Sequence, residues 1–367
     1  MQTSKIKDVA AYLESLAPRD YQESYDNSGL LTGDPLAAVT GILVTLDCTE
    51  PVVEEAIVRH CNLIVSHHPI LFKGLKKLTG QNYVERTLLL AIRNNIAIYA
   101  AHTNLDNVYQ GVNSKIAERL SLKKTRILAA RKGLLSKLVT FVPADQVEGV
   151  LGALYEAGAG QVGNYKNCSF KIPGTGTFLP NQDAHPAIGK PGHQEDVQEV
   201  RVEVLLPSRI EDRVLSALRK SHPYEEVAYY LTRVENENQE VGAGLIGELE
   251  TPVEPIEFLM RLKNQMNTSL IRHTRPLGRP VKKVAVCGGA GSFLLPTAIG
   301  EGADVYISAD FKYHEFFDAD AKIIIADIGH YESEQFTKEL FLEVLSKKFP
   351  TFAINFSKVV TNPISYL

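Results

Sequence analysis

Apolar positions along the chain keep two different periods, and the change between them marks the elements. The chain opens at helical spacing: Ile6, Val9, Ala10, Leu13 and Leu16 lie three or four apart, behind Thr3 or Ser4 as a cap. After the turn-rich stretch YDNSGLLTGDP, GILVTLD is a nearly continuous apolar run, as a strand buried on both faces requires. PVVEEAIVRH predicts a helix with Val52, Val53, Ala56 and Ile57 on one side. NLIVS is a second buried strand that stops at His67-His68-Pro69. A helix over about 83–94 leads to the strand IAIYA and then to HTNLDN. Such alternation predicts parallel α/β structure.

The last third repeats the scheme. KKVAVC is a strand, GGAGS a glycine-rich turn, and a helix follows through Ile299. ADVYISA and KIIIADI are further strands, the second leading to GHYESE and a final amphipathic helix that ends near Phe349. An offset of 242 positions pairs Val44 with Val286, Ala56 with Ala298, Val65 with Ile307 and Ser66 with Ser308, and predicts two related half-domains. Between them the texture changes. At an offset of 64, Pro143 matches Pro207, Val150 matches Val214, Leu154 matches Leu218 and Tyr165 matches Tyr229. Each copy reads strand (LVTFVP; VEVLLP), helix, strand (NYKNCSFK; EVAYYLTRV), which predicts a ferredoxin-like α+β sandwich. A Gly- and Pro-rich loop, PGTGTFLPNQDAHPAIGKPGHQED, joins the two copies. The expected organisation is an α/β half over 1–125, an inserted domain over 126–240 and a second α/β half over 241–367.

Composition narrows the classes. With 44% hydrophobic and 22% charged residues, the 367-residue chain reads as an ordinary globular protein. Its 39 basic and 43 acidic residues leave a net charge of −4, which gives no global pull toward nucleic acid or anionic membrane. The first residues lack the apolar run of a signal peptide, and no stretch approaches the ~20 apolar residues of a membrane span; a cytoplasmic location is expected. Cys48, Cys61, Cys168 and Cys287 stand far apart, as reduced thiols and not as a disulfide framework or thiolate zinc site.

Candidate chemistry lies at three strand ends: Ser66-His67-His68-Pro69, His102 to Asp106, and Gly329 to Glu334. Ligands in open α/β sheets gather at the carboxyl ends of strands. His330 and Glu334 are four apart, so a helix presents both on one face, and His102 and Asp106 share that spacing. Neighbours in a strand point to opposite faces, so His67 and His68 meet one ion only if the backbone turns sharply. The simpler arrangement gives each His its own ion, with a carboxylate such as Glu334 as bridge. Imidazole with carboxylate suits Zn, Fe, Mn or Ni over Mg or Ca. Two ions about 3.5–4 Å apart would hold a bridging water for hydrolysis. GGAGS either cradles a phosphate at a helix start or makes a tight turn. Asp310, Lys312 and His314 either touch substrate or lie on an exposed loop, and Lys73, Lys76 and Lys77 are either a phosphate-attracting patch or solvated. His185 and His193, in the loop, are weak metal candidates.

The motifs YDNSGLLTGDP, SHHPILFKGLKKL, AAHTNLDNV, GGAGSF, GADVYISADFKYHE and GHYESE, in this order, resemble the Nif-three-like proteins, also named GTP cyclohydrolase I type 2 homologs. The resemblance covers the whole body, with Tyr25 where many members carry Trp. It implies a dinuclear metal site with His67 and His330 on one ion, His68 and Asp106 on the other, and Glu334 bridging. His102 would stand behind the ligands or reach a substrate. The resemblance further implies that the insert is PII/CutA-like and that the chain forms a homohexameric toroid. The leading expectation is a hydrolase with two divalent ions, zinc foremost, whose metal-bound water attacks a nucleotide, a phosphoester or a purine-like heterocycle. The alternative is a metal-binding regulatory or adaptor hexamer without turnover. Nucleic acid as a partner is disfavoured by the charge and by the lack of an RNA-binding motif.

Overall fold

The computed structural model describes residues 4–367. It divides into two compact units, Met1–Ala129 with Glu240–Leu367 as a body and Ala130–Gln239 as an insert. Helix α1 (Ile6–Leu16) buries Ile6, Val9 and Leu13. It starts behind Lys5 and not Ser4, because Ser4 and Lys5 are drawn into extended pairing: Lys5 bridges to Ala38, and the Ser4 carbonyl accepts from Val39 N. Asp8 then caps the helix by accepting from Lys5 N at 2.8 Å. Thr3, the other expected cap, lies outside the described residues.

Strand β1 (Gly29–Thr32) precedes the βαβ run: β2 (Ile42–Thr45), α2 (Glu50–Val58), β3 (Leu63–Ser66), α3 (Tyr83–Arg93) and β4 (Ala97–Ala100). β2, β3 and β4 are parallel, and every residue in them is buried, which is why their sequences carry no alternation. On α2, Val52, Val53 and Ala56 are buried, whereas Ile57 is exposed, one step further round the helix than the apolar face reaches. The one-turn α4 (Thr103–Asp106), then α5 (Val112–Arg119) and β5 (Lys123–Arg131), follow.

The insert contains β6 (Leu135–Pro143), α6 (Val147–Glu156), β7 (Phe170–Phe178), β8 (Glu195–Pro207), α7 (Glu211–Ser221) and β9 (Tyr229–Val234). Its antiparallel sheet has the order β7-β8-β6-β9, and α6 and α7 pack on one face over Leu138, Val142, Val202 and Val204. The expected strand NYKNCSFK is displaced: β7 begins at Phe170 and runs through Pro173-Gly174-Thr175-Gly176, which the sequence assigns to a loop. An edge strand tolerates this, since Pro173 needs no ladder partner on its outer side. Consequently Tyr229 begins a strand while its expected counterpart Tyr165 does not.

The body resumes with β10 (Asn238–Val253), α8 (Pro255–Gln265), β11 (Arg272–His273), β12 (Val281–Ala290), α9 (Leu295–Gly300), β13 (Val305–Ala309), β14 (Ile324–Asp327), α10 (His330–Glu334), α11 (Thr337–Lys348) and β15 (Ile354–Phe356). The second sheet has the order β11-β14-β13-β12-β10-β5, parallel in its centre (β12, β13, β14) and antiparallel where β10 meets β12 and β11 meets β14. The expected final helix is two helices, with α10 a separate turn before α11. β15 returns to the first sheet, parallel to β2, giving the order β1-β4-β3-β2-β15. The body is therefore a mixed α/β fold with two sheets.

The loop from His67 to α3 is closed at its far end by Glu85. Asn82 caps α3 by accepting from Glu85 N at 2.9 Å, and Glu85 Oε2 accepts from Thr79 N, Thr79 Oγ1 and Gln81 N. The bonds from Thr79 and Gln81 hold its carboxyl at about 2, below the usual 4.5. A depressed carboxyl stabilises the fold fully above its unfolded pKa and loses that contribution as pH falls through the folded value. In denaturant titrations, wild type is expected to lose more stability than Glu85→Gln between roughly pH 5 and pH 3. Parallel losses in the two proteins would contradict this role.

Candidate metal centre

Five strand ends and two short helices place the site. Asp47 follows β2, His67 and His68 follow β3, His102 follows β4, Asp310 follows β13 and His330 follows β14; Asp106 ends α4 and Glu334 ends α10. The chain bends at the end of β3, where His67 N and His68 N both donate to the Leu46 carbonyl, at 3.0 and 2.9 Å. Adjacent residues thereby turn to the same side, with ring centroids 4.9 Å apart. This is the sharp turn that the sequence reading treats as the less simple case.

Each of the four imidazoles is pinned through Nδ1. His67 bonds the Ala101 carbonyl at 2.8 Å, His68 bonds Asp47 Oδ1 at 2.7 Å, His102 bonds Asp26 Oδ1 at 2.8 Å and His330 bonds Asp310 Oδ2 at 2.6 Å. An Nδ1 proton committed to an acceptor fixes the tautomer and leaves Nε2 as the coordinating atom. His68 Nε2 lies 2.9 Å from Glu334 Oε2, His330 Nε2 lies 3.2 Å from the same oxygen, and the two nitrogens are 3.3 Å apart. His67 Nε2 is 3.6 Å from Asp106 Oδ1 and 3.7 Å from Glu334 Oε1.

Three compact donor groups result, each able to hold a metal ion: His68, His330 and Glu334; His67, Asp106 and Glu334; His67, His68 and His102. The closest approaches thus set His330 beside His68, and Asp106 beside His67, where the resemblance couples His67 with His330 and His68 with Asp106. Glu334 belongs to two of the groups. His67 Nε2, Asp106 Oδ1 and Glu334 Oε2 are buried and take no hydrogen bond among the described residues. Leaving buried polar atoms unsatisfied costs about 1–3 kcal/mol each. Imidazole nitrogens and carboxylate oxygens, fixed in this way, are the donor set of a divalent transition ion, and the residues fit one.

The electrostatics agree. Burial opposes charge on His68, but Asp47 and Glu334 outweigh it and raise its pKa to about 10. The same competition, with Asp310 and Glu334 prevailing, takes His330 to about 11. Burial keeps His67 neutral despite Glu334. Asp106 is pushed well up by burial and by the Glu334 charge, whereas Glu334, although buried, is held well down by His67, His330 and His68. The space between these groups attracts positive charge, whether proton or ion.

A cavity of about 700 Å³ opens on the cluster. Asp47, His68, His102, Asp106, His330 and Glu334 reach its wall, while His67 is buried behind it. Tyr25, Phe72, Phe293 and Ile364 form an apolar rim, and no lysine or arginine lines it among the described residues. Lys73, Lys76, Lys77, Lys312 and His314 are exposed and do not line the cavity. Asp310 lies near it as the partner of His330, at the positive φ of 60° that carboxamide and carboxylate side chains tolerate best. The first three residues of the glycine-rich segment, Gly288 to Ala290, end β12. Gly289 has φ +64°, and a Cβ there would collide with Glu334 Oε1.

Asp26 and Asp47 are the functional residues that sequence reasoning misses. Asp47 closes the run GILVTLD at a strand end, the place where His67, His102 and His330 were found. Asp26, in YDNSGLL, also accepts from Thr103 N at 2.9 Å, a contact across 77 residues that no local pattern encodes.

Fold and donor set define a mixed α/β protein with a buried histidine–carboxylate cluster of metal-binding type. The Duf34/NIF3 (NGG1p interacting factor 3) family profile matches residues 4–363, and the chain belongs to this family. A Bacillus subtilis (strain 168) relative named GTP cyclohydrolase 1 type 2 homolog is 38% identical over 365 residues, 98% of each chain. A Staphylococcus epidermidis relative of the same name is 36% identical, over 99% of this chain and all of its own. Among solved structures, a Bacillus cereus protein related to NIF3 matches over the whole of both chains with TM-score 0.88 and 35% identity. Staphylococcus aureus protein SA1388 does so with TM-score 0.80 and 29% identity.

The clearance at Gly289 gives a test. Gly289→Ala is expected to keep the far-UV circular dichroism spectrum while weakening divalent-metal binding by about tenfold or more, read by competition with a chromophoric chelator. Unchanged affinity would show that Glu334 does not depend on that clearance.

Proposed function

We propose that the chain is a dinuclear metal-dependent hydrolase acting on a purine-like heterocycle or a related phosphoester. His67, His68, Asp106, His330 and Glu334 are the proposed ligands. The observation that carries the reading is the convergence of three unsatisfied buried atoms, His67 Nε2, Asp106 Oδ1 and Glu334 Oε2, below an open cavity. The interatomic distances favour one ion among His68, His330 and Glu334 and another among His67, Asp106 and Glu334, with Glu334 shared. Zinc is the first choice by donor type, with iron, manganese or nickel as alternatives. Bound divalent ions would supply Lewis acidity to the reacting bond.

The chain's own residues would do the rest. Asp47, Asp310 and the Ala101 carbonyl hold the ligand rings in place. His102, fixed by Asp26 and at ring distances of 5.3 Å from both His67 and His68, is placed to hold or pass a proton at Nε2. Tyr25, 69% exposed, and Phe293, 66% exposed, offer ring faces at the rim for stacking a planar heterocycle. No lysine or arginine among the described residues lines the cavity to meet a polyphosphate. This favours recognition of a base-like moiety over a triphosphate.

The reading includes a ferredoxin-like, PII/CutA-like insert over 126–240 between body halves 1–125 and 241–367, supported by the order β7-β8-β6-β9. It also includes a homohexamer, on the family resemblance, and a cytoplasmic setting; no helix among the described residues is long and apolar enough to cross a membrane. Elemental analysis of natively purified protein is expected to find two divalent ions per chain, and Glu334→Gln to retain less than about half of them. Metal-loaded wild type is then expected to hydrolyse members of a panel of purine heterocycles and phosphoesters. Full metal content in Glu334→Gln would refute the ligand assignment, and a metal-loaded protein inert across the panel would refute the hydrolase.

A further inference from the structure

The insert holds a second cavity, of about 780 Å³, built entirely from its own residues. It lies on the sheet face that α6 and α7 leave uncovered. Side chains alternate along a strand, so Phe141, Glu199, Arg201 and Tyr230 face away from the helices and line it. The β7–β8 loop reaches over the cavity and is tied down by His185 N, which donates to Glu225 Oε1 at 2.8 Å.

Glu199 is the unusual group. It is only 8% exposed, and its Oε1 accepts from the Tyr224 hydroxyl at 2.8 Å. No cation pairs with it among the described residues. Arg201 is committed to Glu203 at 2.7 Å. His222 accepts from Tyr224 N at Nδ1, so its Nε2–H donates to the Phe141 carbonyl, and burial lowers its pKa. A buried carboxylate without a counter-charge is costly to keep.

The surroundings make room for a ligand beside it. A Cβ at Gly176 would collide with the Glu199 carboxylate, whereas a Cβ at Gly174, its direct partner across the β7–β8 ladder, would meet nothing within 4 Å. Aromatic pairs stand on both sides of the Glu199 strand. Phe178 and Tyr224 (centroids 6.0 Å) lie toward β7, and Phe141 and Tyr230 (5.8 Å) lie on the β6 and β9 side. Ring faces with a central carboxylate suit a cation that also carries apolar surface. We propose that the open sheet face of the insert binds a small organic cation, an ammonium or guanidinium compound, with Glu199 as its counter-ion and the four rings as its walls.

Calorimetric titration of the full-length protein with benzylammonium, benzyl alcohol and benzoate tests this. Benzylammonium is expected to bind with Kd on the order of 1 mM or tighter, and the neutral and anionic probes at least about tenfold more weakly. Glu199→Gln is expected to weaken benzylammonium about tenfold or more, and Gly174→Val, which fills the open space and leaves Glu199 in place, to do the same. Bound divalent metal should be unchanged in both variants, which separates this site from the cluster in the body. Circular dichroism checks folding; if Glu199→Gln does not fold, Gly174→Val decides. Equal binding of benzoate, wild-type affinity in the folded variants, or no benzylammonium binding by wild type would each overturn the proposal. In the last case, a sedimentation shift on Tyr230→Ser would assign the face to a second copy of the chain instead.

Discussion

The carboxylate of Glu334 is buried, and it faces ring nitrogens where a buried acid ordinarily faces lysine or arginine. Its surroundings are organised around that choice. Three imidazoles present Nε2 to it because their Nδ1 atoms are held from behind by Asp47, by Asp310 and by the Ala101 carbonyl. Gly289 is stripped of a side chain so that the carboxylate can lie against the β12 backbone. Imidazole nitrogens and carboxylate oxygens face one another at about 3 Å, an arrangement that calls for positive charge between them, whether proton or divalent ion.

The fold makes this affordable by bringing the carboxyl ends of two sheets to one place. β2, β3 and β4 deliver Asp47, His67, His68 and His102; β13 and β14 deliver Asp310 and His330. Buried parallel strands are stiff, so residues just beyond them inherit well-defined positions, and the one-turn helices α4 and α10 then add Asp106 and Glu334 from the side. The apolar rim of Tyr25 and Phe72 on loops and Phe293 on a short 3-10 turn suits a surface that must admit and release a ligand.

Much of this was legible in the sequence, for identifiable reasons. Continuous apolar runs such as ILVT and LIVS are unambiguous because both faces of those strands are buried, and the three His-bearing strand ends stand out by contrast with them. The pinning carboxylates were harder. Asp26 reaches Thr103 and His102 across the sequence, and only the assembled fold reveals it. The bend at His67-His68 was obscured because it depends on the Leu46 carbonyl of a neighbouring strand. In the insert, β7 reads as loop because glycine and proline usually break strands; there they serve an edge position and an open face. β15, three residues long and not fully buried, left no periodic signal.

The central question is whether the unsatisfied atoms around Glu334 are reserved for ions. Anomalous X-ray diffraction at the absorption edge of the metal found in the natively purified protein measures this directly. Two anomalous peaks flanking the Glu334 carboxylate, one beside His68 and His330 and the other beside His67 and Asp106, are the predicted result. A fully occupied crystal with its only anomalous density elsewhere on the chain would contradict it.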